Sequence, residues 1–126
     1  MSKTKNKVII SNKDYDRLYS LIEKNPGDIA DLLEAELNRA RIVSDDKLPA
    51  DVIAMGSTAV FKRRDSSDIT RVTLVYPADA DMQARKISVL SPVGSALIGL
   101  PVGGEIDWPM PNGKLAHLEI MEVVQL

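Results

Sequence analysis

The spacing of apolar residues along the chain changes once, near residue 50, from about every fourth position to every second. In the first part Tyr15, Leu18, Tyr19 and Ile22 recur at helical spacing. Ser11 opens this segment as an N-cap, and with Asp14 at i+3 it approximates a capping box. Asn25-Pro26-Gly27 ends the helix, and Asp28 begins another. Ile29, Leu33, Leu37 and Ala40 form the stripe of the second helix, Leu32 and Val43 widen it, and Glu34, Glu36, Arg39 and Arg41 lie off it. Two amphipathic helices joined by so short a turn predict an antiparallel helical hairpin. At about 13 to 16 residues per helix and 1.5 Å per residue, it is roughly 20–24 Å long. Val8-Ile9-Ile10, ahead of it, is too short a run to classify.

Ser44 to Asp51 is charged and broken by Pro49, which makes it a linker by composition. Beyond it Val52–Met55, Thr58–Lys62 and Ile69–Tyr76 read as strands, the latter two joined by a polar turn at Arg64–Asp68. Pro77 stops the third, an acidic loop follows at Ala78–Asp81, and Ile87–Leu90 is the next strand. Ser91-Pro92 then starts a short helix, with Ser91 as N-cap and Pro92 at the first helical position, where its missing N–H costs nothing. Val93, Leu97 and Ile98 give this helix an apolar stripe, and Gly99 closes it. A helix this small does not stand alone in water, so Leu97 and Ile98 are expected to be buried against the sheet. Glu105–Trp108 and Leu115–Val124 close the chain as a hairpin over Met110-Pro111-Asn112-Gly113-Lys114. The expected fold class is α+β: a short helical hairpin over residues 1–48, then a mostly antiparallel sheet with one short helix over 49–126.

With 126 residues the chain is one domain by size, or a small domain with an appendage. A net charge of −2 gives no overall footprint for nucleic acid, and no strong direct nucleic-acid binding is expected. The absence of cysteine excludes disulfides, a thiol nucleophile and a cysteine-based zinc site. No apolar run is long enough to span a bilayer and the first residues lack a signal-peptide core, so no membrane partner is expected and the expected location is cytoplasmic. Lys3, Lys5 and Lys7 read as a solvated terminus in preference to a phosphate-binding arm.

The search for chemistry is mostly negative. His117, the single histidine, reads as an exposed or edge residue sharing a strand face with Glu119. Neither a nucleophile elbow nor a phosphate-cradling glycine loop is present, and no cofactor or metal is expected. Asp79 and Asp81 alone are too few oxygens for a cation site. Lys62, Arg63 and Arg64, with Arg71 across the strand pair, either meet an acidic partner or form a solvated mixed-charge turn with Asp65 and Asp68; the second reading is favoured. Asp28 and Asp31 stand one turn apart at the hairpin tip. They either complement the helix N-terminus or present two carboxylates able to hold a metal for another enzyme, and the first reading is favoured.

The run from Ile87 to Ile106, with Ser91-Pro92-x-Gly94-x-Ala96-Leu97-x-Gly99 and Val102-Gly103, resembles the bacterial Gre-factor family over roughly residues 49–126. Within that family the chain is most similar to the Rnk branch, the regulators of nucleoside diphosphate kinase. Three features point there: the short hairpin, the stretch from Ile29 to Ala40, and Thr73–Pro77 taken with Pro92–Leu97. The resemblance implies a coiled-coil-like N-terminal hairpin on an FKBP-like domain. It also implies binding to RNA polymerase at the rim of the secondary channel, against a coiled coil of the largest subunit. The matching positions are Ser91 and Pro92, preceded here by Leu90 where Gre proteins tend to have Asp or Asn. Arg63, Arg64 and Arg71 are the alternative contact surface. Gre factors stimulate transcript cleavage through acidic residues at the tip of a long coiled coil, which Asp28 and Asp31 echo. A hairpin of about 20–24 Å is around half as long, so its carboxylates do not reach a buried active site. The expected function is therefore a polymerase-binding regulator without cleavage-stimulating activity, which would compete with Gre factors for one site. Two alternatives stay open: a Gre-like cleavage factor, and an FKBP-type prolyl isomerase, for which the few aromatic residues are a poor pocket. Direct control of nucleoside diphosphate kinase has no motif behind it.

Overall fold

The computed structural model describes residues 7–64, 66–109 and 113–125, with Trp108 and Pro109 described in their backbone alone. The lysines before Lys7, Asp65 and the Met110-Pro111-Asn112 part of the last turn lie outside the described residues. The architecture is mixed α+β. Strand β1 (Ile9–Ser11) leads into helix α1 (Asn12–Lys24), then α2 (Asp28–Arg39) and strand β2 (Arg41–Val43). After a short 3-10 turn at Asp45–Lys47 come β3 (Thr58–Arg63), β4 (Ile69–Val75), β5 (Lys86–Ser88), α3 (Pro92–Leu97), β6 (Glu105–Pro109) and β7 (Leu115–Val124).

Ser11 caps α1, its hydroxyl accepting from the Asp14 amide at 3.2 Å. The reciprocal half of a capping box does not form, because the Asp14 carboxylate accepts instead from the amide of Met55 at 3.1 Å. Leu18 and Ile22 are buried along α1. In α2 the stripe is rotated from the one expected. Ala30, Leu33, Glu36 and Leu37 are buried and Leu32 is 39% exposed. Glu36 is tolerated there because the Arg39 guanidinium pairs with it at 3.0 Å. The helix also stops at Arg39 and does not run on to Val43. Ala40 is extended and Arg41–Val43 pairs in parallel with Ile9–Ser11, so the unclassified run at the start is a strand. A pairing partner 32 residues away overrides the helical spacing of Ala40 and Val43.

Among the described residues the main sheet runs in the order β5-β4-β3-β7-β6. Every pair is antiparallel except β4–β5, which is parallel and starts Thr73↔Lys86. The β3–β7 register shifts between Val60 and Phe61, where Met121 is the extra residue on β7, and the bulge bends that strand. Val52–Met55 is not a strand: it makes only a bridge between Val52 and Pro101, with the Ile53 amide donating to Leu100 O and its carbonyl accepting from Gly99. The short apolar run is used to bury Ile53 beside the end of α3, not to extend the sheet.

Leu97 and Ile98 are fully buried, as the argument from helix size requires. They share their core with more than the sheet. Helix α2 packs on α3, and one hydrophobic cluster runs from Val8, Ile10, Leu33 and Leu37 to Phe61, Leu74, Leu97 and Ile120. Gly99, at φ +80, lets the N-terminal strand approach: a Cβ there would lie 2.6 Å from Val8 Cγ1, and the Ile9 amide donates to Gly99 O at 3.0 Å.

Candidate functional site

The sheet ends at β5 in a turn whose hydrogen bonds are closed on themselves. The Leu90 amide donates to Ser88 Oγ at 3.0 Å, and Ser91 Oγ donates to the Ser88 carbonyl at 2.7 Å. Ser91 Oγ also accepts from the Gly94 amide at 3.0 Å, the N-cap bond of α3. Gly94 completes the turn, since a Cβ there would stand 2.0 Å from the Ser88 carbonyl oxygen. The Ser91 hydroxyl is thus occupied within the fold, and its role is to fix the turn. Pro92 is exposed at the first helical position, and Leu90 is half-buried beside it. A turn held by three side-chain bonds presents Pro92 with little entropy left to lose on contact.

The other expected positions are dispersed. Asp28 and Asp31 are both exposed in the first turn of α2. Arg64 turns toward β6, pairing with Glu105 at 3.0 Å. Arg71 sits on β4 opposite Val60, and Arg63 is half-buried at the end of β3 opposite Leu118. The three arginines therefore do not form one free patch.

Two clusters were not expected. His117 is not simply exposed: its Nδ1 meets Asp107 Oδ1 at 3.0 Å and its Nε2 meets Glu105 Oε1, which also receives Arg64. The hydrogen bond to Glu105, with a smaller one to Asp107, raises the imidazole above its ordinary value against the opposing effect of burial. The same bond to His117 lowers Glu105. A signal existed, for the five-residue turn expected over Met110–Lys114 sets a register that pairs Asp107 with His117 and Glu105 with Glu119. With both ring nitrogens engaged, the imidazole is a cross-strand tie and has no free nitrogen to act as a base.

The second cluster joins α1 to the sheet. Burial raises the Asp14 carboxyl despite the Met55 amide bonded to it. Alongside, the Arg17 guanidinium lies 4.4 Å from the centre of the Tyr76 ring. Burial, then the Asp14 charge, raises the Tyr76 phenol, whose oxygen has no hydrogen-bond partner among the described residues. The partners are more than 35 positions apart, and no local pattern joins them. Among the described residues no group of three or more His, Cys, Asp or Glu could hold a metal ion, and no helix is long and apolar enough to cross a membrane.

Comparison with known proteins shows the family. Residues 48–125 match the family model for the transcription elongation factor GreA/GreB C-terminal region, and the chain belongs to that family. Residues 6–43 match the Rnk N-terminus, which marks the branch. The regulator of nucleoside diphosphate kinase of Escherichia coli K12 is 40% identical over 119 residues, covering 92% of this chain and 88% of that protein. GreA of Clostridium novyi is 40% identical over 91 residues, 72% of this chain but 57% of GreA. A solved structure described as a prokaryotic transcription elongation factor GreA/GreB from Nitrosomonas europaea superposes with a TM-score of 0.84. It is 45% identical, over 95% of this chain and 99% of that one.

Proposed function

We propose that this chain is an RNA polymerase-binding transcription regulator of the Gre/Rnk type. In this reading residues 49–126 are an FKBP-like docking unit and residues 1–48 a short helical hairpin. The boundary is supported by the two family matches, which meet between residues 43 and 48. Docking is at the rim of the secondary channel, on the coiled coil of the largest polymerase subunit, through Leu90, Ser91 and Pro92. The observation that carries this is the closed Ser88–Ser91–Gly94 turn, which holds an exposed proline at the sheet edge. Pro92 supplies a rigid apolar contact, Leu90 extends it, and Ser91 sets the angle between strand and helix. Arg63, Arg64 and Arg71 remain the alternative contacts.

The same protein does not stimulate transcript cleavage. Helices of 13 and 12 residues span about 20 Å at 1.5 Å per residue, so Asp28 and Asp31 stop well short of a buried active site. Occupying the rim without reaching inward makes the protein a competitor of Gre factors. Capture of core polymerase by immobilised protein tests the docking. Pro92→Asn should weaken capture while leaving the melting temperature nearly unchanged, because the first helical position tolerates most residues. Equal capture by wild type and variant removes the turn from the interface. Acceleration of cleavage in backtracked complexes, abolished by Asp28→Asn with Asp31→Asn, would overturn the second claim.

A further inference from the structure

The outer face of the sheet carries a cavity of about 310 Å³ lined by Thr58, Arg71, Thr73, Ala84 and Arg85. Its floor is the Thr58–Thr73 cross-strand pair, whose hydroxyl oxygens lie 2.8 Å apart. One hydroxyl hydrogen joins the two oxygens, which leaves the other available as a donor. Arg71 rises from the same face of β4, two residues before Thr73. Arg85 comes from the tight loop before β5. That loop is closed by paired backbone bonds between Asp81 and Lys86 and pinned by the Asp81 carboxylate, which accepts from the amides of Gln83 and Ala84. Arg85 has φ +57, a left-handed conformation that a non-glycine residue adopts at a cost. Its carbonyl is fixed there by the Thr73 amide at 2.9 Å. No carboxylate lines the cavity, and among the described residues neither guanidinium has an acidic partner.

We propose that Arg71, Arg85 and the Thr58–Thr73 hydroxyls form a binding site for the phosphoryl group of a small phosphorylated molecule. Two guanidinium groups and a hydroxyl donor lining one cavity match a tetrahedral dianion, which accepts several charge-assisted hydrogen bonds at once. A carboxylate ligand carries a single negative charge and would balance only one of the two arginines, whereas a phosphoryl dianion balances both. The site shares Arg71 with the alternative polymerase contacts, but its test uses the isolated protein, so it holds or fails independently of polymerase binding.

The test is a titration of ¹⁵N-labelled protein with inorganic phosphate and with pyrophosphate at fixed ionic strength, followed by amide shifts. Saturable shifts confined to residues around Thr58, Arg71, Thr73 and Arg85 are expected, with pyrophosphate the tighter ligand. Arg71→Gln and Arg85→Gln should each weaken binding about tenfold or more, as loss of a charged hydrogen bond does, and Thr73→Val should weaken it less. The inference is overturned by shifts that sodium chloride reproduces, or by unchanged affinity in the Arg71→Gln/Arg85→Gln variant with its fold intact by circular dichroism. It is also overturned if a single-stranded RNA binds there and pyrophosphate fails to displace it, since the surface would then read a polymer.

Discussion

Replacing Gly94 by alanine tests the turn that organises the proposed docking edge. The added Cβ would lie 2.0 Å from the Ser88 carbonyl oxygen, 2.8 Å from its carbon and 2.9 Å from Ser91 Oγ. A carbon–oxygen contact needs more than 1 Å beyond the first of these, by ordinary packing distances of about 3.5 Å. Ser88 and α3 must therefore separate. That movement breaks the bonds from Ser91 Oγ to Ser88 O and from the Gly94 amide to Ser91 Oγ, at about 0.5–1.5 kcal/mol each. Forcing a methyl into a filled site adds about 1–3 kcal/mol. The better helix propensity of alanine returns at most about 1 kcal/mol. The net loss should be about 1–6 kcal/mol, measured by urea unfolding followed by far-ultraviolet circular dichroism. Ser91→Ala should cost about 1 kcal/mol as loss of an N-cap. Because both substitutions remove the same bonds, the double variant should cost clearly less than their sum. A Gly94→Ala protein within about 0.5 kcal/mol of wild type, or additive behaviour in the pair, would refute the account.

Two further outcomes follow from the charged clusters. The raised His117 stabilises the fold fully below its unfolded value of 6.5 and loses that contribution as pH rises through the higher folded value. Since it is the single histidine, its ring resonances should titrate with a midpoint above 6.5 and move down in Glu105→Gln; a midpoint at or below 6.5 would show that the tie does not form in solution. Asp14 carries the opposite sign for a carboxylate. Its folded value is raised, so stability falls as pH rises above the ordinary 3.8, where the unfolded chain ionises first. Asp14→Asn keeps an oxygen for the Met55 amide without a buried charge, and should equal or exceed wild type in stability at pH 7 with a flatter pH dependence just above 3.8, whereas Asp14→Ala should be less stable than either.

What the sequence discloses depends on the range of the interaction. Ser91 and Pro92 are legible because an N-cap and a first-turn proline act within three residues, and the burial of Leu97 and Ile98 follows from the helix being too short to exist alone. The change of period at residue 50 is legible for the same reason. The errors fall where distant partners decide. Ala40 to Val43 carries helical spacing yet pairs with β1, and Val52–Met55 has strand composition yet serves the end of α3. Asp14 looks like the second half of a capping box, but its carboxylate is taken by an amide 41 positions away. The His117 tie lies between these extremes, readable from the register that the expected five-residue turn over Met110–Lys114 sets. The Arg71–Arg85 cavity is not readable, since it depends on a left-handed residue in a loop with no glycine at that position.

The same long-range contacts bear on whether the C-terminal part stands alone. Residues 1–48 supply β1, which hydrogen-bonds Gly99 and places Val8 on it, and α2, which packs over α3. Removing them leaves Leu97, Ile98 and Gly99 with one side of their packing gone, though the sheet beneath keeps its own ladder. Fully uncovering two buried side chains costs on the order of 3–6 kcal/mol and uncovering one side of each about half of that, against a total of about 5–15 kcal/mol for a domain this size. A fragment of residues 49–126 should therefore keep its strand signal but melt at a markedly lower temperature, with a broader transition. Its α3 should be the first element to lose amide protection, because it loses α2 while the β3–β7 ladder is untouched. A fragment that melts as sharply as the whole chain at the same temperature would show that α2 and β1 only rest on the surface of α3. In that case the helical segment is free to be repositioned without disturbing the Ser88–Gly94 turn, and contact at Pro92 could not be felt in the helices.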